Sequence, residues 1–225
     1  MPALLRIIAL SALAALAVPF YLAILAEGGN IGNDGLGSFV PLFGLTATYV
    51  AAVVLIWWSR PATSARWRWI ELGMIVAGGL ALRTIFWPQG PTISHDAYRY
   101  VWDAHLVLHG ISPYTHTPHD PSLASLRDAA IWPNVNWPDA PTIYPPGAQI
   151  FYVLISLIAP LNIWALKAGM ALCDIGSMLL TLVLLRRFGL DLRRVLLYWW
   201  SPIPILEFAY SAHVDALAVL LTLAT

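Results

Sequence analysis

"AQIFYVLISLIAP", residues 148–160, decides the topology, because these 13 residues either cross a membrane or lie along it. A helix of that length reaches about 20 Å, whereas the hydrocarbon core of a bilayer is about 30 Å thick. Pro145 and Pro146 stand where a helix can begin, and Pro160 stands where one must stop. The stretch is therefore predicted to be an interfacial or re-entrant helix that leaves the chain on the side from which it came. If it crossed, the arginines at 186 and 187 would change sides and break the charge pattern described next.

The surrounding composition makes the bilayer the solvent. Of 225 residues 59% are apolar and only 11% are charged, with a mean hydropathy of +0.71, against about 25% charged in water-soluble domains. The sequence predicts an all-α, polytopic transmembrane bundle with spans at about 3–25, 39–58, 69–87, 163–185, 195–210 and 215–225 onward. Arg6 precedes an apolar run of 20 residues, longer than the about 7–15 of a signal peptide, so the first span is read as uncleaved. The last window reaches Thr225 without a polar flank, the pattern expected of the N-terminal part of a longer protein.

Lys and Arg set the orientation. Arg6, Arg60, Arg66 and Arg68 lie on one side, and Arg186, Arg187, Arg193 and Arg194 join them if 148–160 does not cross. Glu27 to Ser38 contains neither Lys nor Arg. The N-terminus is thus predicted to be cytoplasmic, and residues 88–147 to form a long extracytoplasmic loop. A net charge of zero with no basic tract excludes a nucleic-acid footprint. The single Cys173 excludes an internal disulfide framework.

The outer loop holds ten of the 17 prolines and five of the six histidines. It is longer than most structureless connections, and its many Tyr and Trp residues favour packing over disorder. Its first ordered piece is "SHDAYRYVWD", 94–103, predicted as a helix capped by Ser94 and ended by Gly110 in the left-handed conformation. Helical spacing puts Asp96, Tyr100, Asp103 and Val107 on one face with Arg99 at its edge. The two carboxylates lie about 10 Å apart along the axis, too far for the roughly 5–5.5 Å pair of a retaining glycosidase. Carboxylates and a guanidinium at a membrane surface suit proton transfer from a hydroxyl nucleophile and the clamping of a lipid phosphate. A helix whose charges merely face water, with Tyr and Trp as belt anchors, accounts for the spacing equally well.

Other residues with chemistry are scattered. His105 and His109 are spaced i, i+4 with His116 and His119 close by, but they fall nearly opposite Asp96 on the wheel, which argues against a dedicated zinc site. Asp174 falls in mid-span, where it is either functional or a tie between helices. Glu207 and "SAHVD", 211–215, are expected at the outer end of the next hairpin, bringing His213 and Asp215 to the side of Asp96. Arg83 and Lys167 sit near outer helix ends, placed to meet a lipid phosphate or to snorkel.

"SHDAYRYVWDAHLVLHGISPYTHTPHDPSLASLRD", "WPDAPTIYPPGAQIFY" and "FAYSAHVDALAV" together resemble the GT-C superfamily of membrane glycosyltransferases, in particular its bacterial mannosyltransferase-like branch. The likeness covers about residues 83–225. It implies a helical membrane bundle with juxtamembrane helices in a large outer loop, a catalytic acid at the start of that loop matching Asp96, and a place in a bacterial plasma membrane. It implies a polyprenyl-phosphate-linked sugar as donor, mannose first, and a glycan or lipid hydroxyl as acceptor. Arg99, Tyr98, Tyr100, Asp103, Arg83, Lys167, His213 and Asp215 are the candidate substrate-binding residues. Some members need a divalent metal ion; here His95 stands where a second acid is often found, so a metal remains open. A transporter or flippase-like protein and a non-catalytic membrane subunit are the alternative classes.

Overall fold

The computed structural model describes residues 1–28 and 39–225; most of the Lys- and Arg-free loop 27–38 thus lies outside the described residues. The regular elements of the described residues are all helical, without a strand. Six long helices are α1 (Ala3–Ala26), α2 (Val40–Trp58), α3 (Ala65–Thr84), α4 (Asp96–Leu108), α5 (Pro146–Ile158) and α6 (Ile163–Arg187), and a final helix covers Asp215–Ala224. Local chemistry sets their ends. Pro41 opens α2 and Pro61 follows its close. The Asn162 side chain accepts the amides of Trp164 and Ala165 at 2.9 and 3.1 Å to start α6, and Gly189 takes φ +66° just past its end.

Three helices, α1, α2 and α6, are long and apolar enough to cross a membrane, and a fourth span is present if the bent pair Pro202–Tyr210 and Asp215–Ala224 is counted as one. Their apolar side chains face outward as well as inward: Phe43 is 72% exposed and Leu172 69%. Water would not tolerate so broad an apolar surface, whereas lipid would. The span expected at 69–87 appears as α3, four residues earlier. It falls outside that apolar set, and its interior charges, Glu71 and Arg83, are buried in ion pairs.

The expectation of one span over 195–210 is corrected. Leu192–Val195 is a 3-10 turn, Leu196–Trp199 one α-turn, and Pro202–Pro204 leads into a π-helical turn over Ile205–Tyr210. Pro202 and Pro204 lack the amides that a continuous α-helix needs there.

Charge pairs fix how the helices run. Arg6 of α1 donates to both Glu71 oxygens of α3 at 2.8 and 3.0 Å, and Tyr21 meets Phe86 edge-on at 5.6 Å, so α1 and α3 run in the same direction. Arg83 of α3 pairs with Asp174 of α6 at 2.5 Å, and Lys167 donates to the carbonyls of Phe86 and Gln89 at 3.0 and 2.6 Å. Past the other end of α6, Arg193 reaches Glu71 at 3.1 Å. Helix α6 is therefore antiparallel to α3 and begins where α3 ends. The 13-residue α5 lies between these points and leaves the chain at the same end of the bundle, as its length predicts. The two ends are hereafter the near end, with Arg6, Glu71 and Arg193, and the far end, with α4, α5 and Ser211–Asp215.

Close packing accompanies the charges. The Arg83 guanidinium lies 3.5 Å over the Trp199 ring, whose indole N–H donates to Val76 O at 2.8 Å. A Cβ on Gly79 would collide with that indole, while one on Gly73 meets nothing within 4 Å. Gly79→Ala is expected to destabilise the protein by about 1–3 kcal/mol through overpacking, with Gly73→Ala causing no loss. Thermal unfolding in detergent micelles checks both; equal melting of the two variants would show that Trp199 yields.

Candidate functional site

Asp96 is the first residue of α4, where the helix dipole favours an anion. Ser94 acts one position earlier than a cap, its hydroxyl accepting the Asp96 amide at 3.2 Å, and Gly110 closes the helix at φ +75°. The Asp96 side chain is 29% exposed; Asn136 donates its side-chain amide to Oδ1, and His213 Nε2 stands 3.6 Å from Oδ2. The carboxylate opens on a cleft of about 300 Å³ whose walls include Asn136, Trp137, Thr142 and Tyr144.

Arg99, one turn along, points into the protein. Its Nε donates to Asp103 Oδ1 at 2.8 Å, and its two terminal nitrogens donate to the carbonyls of Trp137 and Ala140 at 3.1 and 2.9 Å. Asp103 is fully buried and takes a further bond from Gln149 of α5 at 3.1 Å. Burial pushes its carboxyl upward, against the opposing pull of Arg99 and the hydrogen bonds. The Arg99–Asp103 pair is thus the anchor of the cleft wall: it holds the 137–140 backbone over α4. Trp137 in that wall has φ +48°, uncommon for a residue with a Cβ, and its side chain is 75% exposed.

An aromatic stack floors the site. Tyr100 lies parallel to Tyr152 at 4.5 Å, and Tyr144 meets Tyr100 edge-on at 4.7 Å. Burial and then the Asp96 charge raise the Tyr144 phenol to about 12, and burial raises those of Tyr100 and Tyr152 further. All three stay neutral hydroxyls at physiological pH. The Tyr152 hydroxyl is buried without a partner.

The far-end segment supplies the remaining charge. Glu207 lies in the π-helical turn, the Ser211 amide bonds Leu206 O at 3.0 Å, and buried Ala212 takes φ +56°. The backbone so bent brings His213 Nδ1 to 2.5 Å from Glu207 Oε2. Burial works against a charge on the His213 ring, but the hydrogen bond and charge of Glu207, with the charges of Asp96 and Asp215, outweigh it and push the imidazole upward.

Of the residues nominated by the sequence, the structure therefore brings Asp96, Tyr100 and His213 together, with Asp215 exposed nearby in the first turn of the final helix. It does not bring Tyr98, which packs by Gly90 and the His95 ring away from the cleft. Arg83 and Lys167 are buried against Asp174 and main-chain carbonyls, whereas Arg99 lines the same cleft as Asp96 while its guanidinium is engaged by Asp103 and the carbonyls of Trp137 and Ala140. Asn136 was missed by the sequence reading, although "NVNWPDAP" placed a short amide beside the aromatic wall. Its contact with Asp96 spans 40 residues, and no periodicity signals that.

Among the described residues no three His, Cys, Asp or Glu side chains are grouped to hold a metal ion; around Asp96 the imidazole lies between the carboxylates instead of beside them. The His105 and His109 rings meet edge-on, their centroids 4.4 Å apart. A larger cavity of about 890 Å³ opens at the near end, around Met1, Trp58 and Trp67, remote from this cleft. Compared with family models, with curated proteins and with solved structures, the chain gives no match.

Proposed function

We propose that the protein is a membrane glycosyltransferase that moves a sugar, mannose in the first instance, from a polyprenyl phosphate to an acceptor hydroxyl, with Asp96 as general base. The observation that carries this reading is a part-exposed carboxylate facing a cleft at the end of a bundle of apolar helices. In the reaction the acceptor oxygen attacks the anomeric carbon while Asp96 takes its proton. The bond from that carbon to the phosphate oxygen breaks, and the polyprenyl phosphate leaves with the electron pair. The far end is extracytoplasmic in this reading, since the Arg-rich loops lie at the near end. Asn136 orients Asp96, and the neutral Tyr144 hydroxyl and the Trp137 ring offer a polar atom and a flat face to a sugar.

Transport, the other reading suggested by an acid in mid-span, loses its motive. Asp174 is already engaged by Arg83 and by the Tyr198 hydroxyl at 2.6 Å. Reconstitution in proteoliposomes with polyprenyl-phosphate mannose labelled in the sugar, plus a hydroxyl acceptor, tests the proposal. Label passing to the acceptor is the expected result. Label that stays on the carrier, or crosses the membrane without transfer, overturns it.

A further inference from the structure

We infer that Glu207 and His213 form a positioning pair for Asp96, a carboxylate–imidazole–carboxylate line that aims the base. The inference rests on the glycosyltransferase reading for its kinetic consequence, but its geometry stands alone. Nδ1 of His213 donates to Glu207 at 2.5 Å, which fixes the ring, and Nε2 then faces Asp96 Oδ2 at 3.6 Å. That Nε2 is shielded from solvent and has no hydrogen-bond partner of its own. A buried N–H without an acceptor is costly, and the acceptor that faces this one is the Asp96 carboxylate, at ion-pair distance. The distance is long for a hydrogen bond, as catalytic contacts often are before substrate is bound.

The backbone has been bent to make this line. A π-helical turn, a form frequent at functional sites, carries Glu207, and a left-handed alanine precedes His213. The His213 amide itself bonds Glu207 O at 2.9 Å, so the two side chains leave from backbone that is tied together. An imidazolium opposite Asp96 restrains the rotation of its carboxylate. Neither His213 nor Glu207 touches the reacting atoms; both act through Asp96.

The charged groups facing His213 are Glu207, Asp96 and Asp215. The imidazolium is present below its raised pKa and is lost as pH rises through it, so transfer should fall on the alkaline side. Glu207→Gln is expected to move that fall to lower pH, because the imidazolium loses its hydrogen-bonded counter-charge. His213→Gln should lower kcat by roughly tenfold through lost orientation of the base, leave KM near its starting value and remove the alkaline fall. A purely structural histidine would lower stability without changing the shape of the profile. The second measurement is an NMR titration of ring-labelled histidine in the whole protein, with the His213 signal assigned by its loss in His213→Gln. Its pKa should fall in both Glu207→Gln and Asp96→Asn; a ring that titrates alike in all three proteins overturns the pair. Transfer by His213→Gln with an unchanged profile overturns it too. Absence of any transfer would sink the glycosyltransferase reading instead, and the ring titration would still decide the coupling.

Discussion

Asp96→Asn is expected to lower sugar transfer about 10²–10⁴-fold, the range that a positioned general base contributes. The amide keeps the shape of the side chain at the mouth of the cleft, but it cannot accept the proton of an attacking hydroxyl. The loss should therefore fall on kcat with little change in KM, and the unfolding temperature should stay close to that of the unaltered protein. Asp96→Glu restores the chemistry at a shifted position and should recover part of the rate. Transfer by Asp96→Asn at full speed would remove the residue from the reaction and with it the reading of the cleft.

Glu71→Ala is expected to cost about 3–5 kcal/mol, enough to abolish a stable fold, because it leaves buried cations without their acid. Glu71 is fully buried and serves Arg6 and Arg193, themselves 2% and 3% exposed. Arg193 retains Asp191 at 2.6 Å, so Arg6 is the group stranded by the change. The double variant Arg6→Met with Glu71→Met removes both the charge and its counter-charge and should regain most of the loss, since apolar replacement of a whole buried pair is often neutral. Thermal unfolding or limited trypsin digestion in micelles reads both. A Glu71→Ala protein as stable as its parent would mean that water or lipid headgroups reach Arg6.

The sequence was legible where one element could be judged alone. The lengths of the apolar runs located α1, α2 and α6, and the shortness of 148–160 placed α5 at one end of the bundle without a crossing. The helical wheel correctly set Asp96 and Asp103 on one stripe, but two turns along it the surroundings differ. Asp96 opens on the cleft, whereas Asp103 is covered by Gln149 from α5 and faces Arg99. A wheel gives direction and no depth, so Arg99 looked free for a ligand when its acceptors, Trp137 and Ala140, lay some 40 residues away. The opposite failure occurred at 195–210. Hydropathy favoured one span there, while Pro202 and Pro204 were visible breakers that the apolar average concealed. The π-helical turn and the left-handed Ala212 beyond them let Glu207 and His213 approach each other, a relation that depends on backbone curvature and leaves no periodic trace.

The ion pairs that join α1 to α3 at one extremity and α3 to α6 toward the other act as dowels. A one-turn slip of any of these rods past its neighbour, about 5.4 Å, would pull a guanidinium out of its socket, so this trio resists shear. The kinked stretch between Trp200 and Val214 is tied in another way, by the Tyr210 hydroxyl to Thr92, by the Tyr210 ring to Phe86 and by His213 to Asp96. The three rods therefore stay put as a chassis.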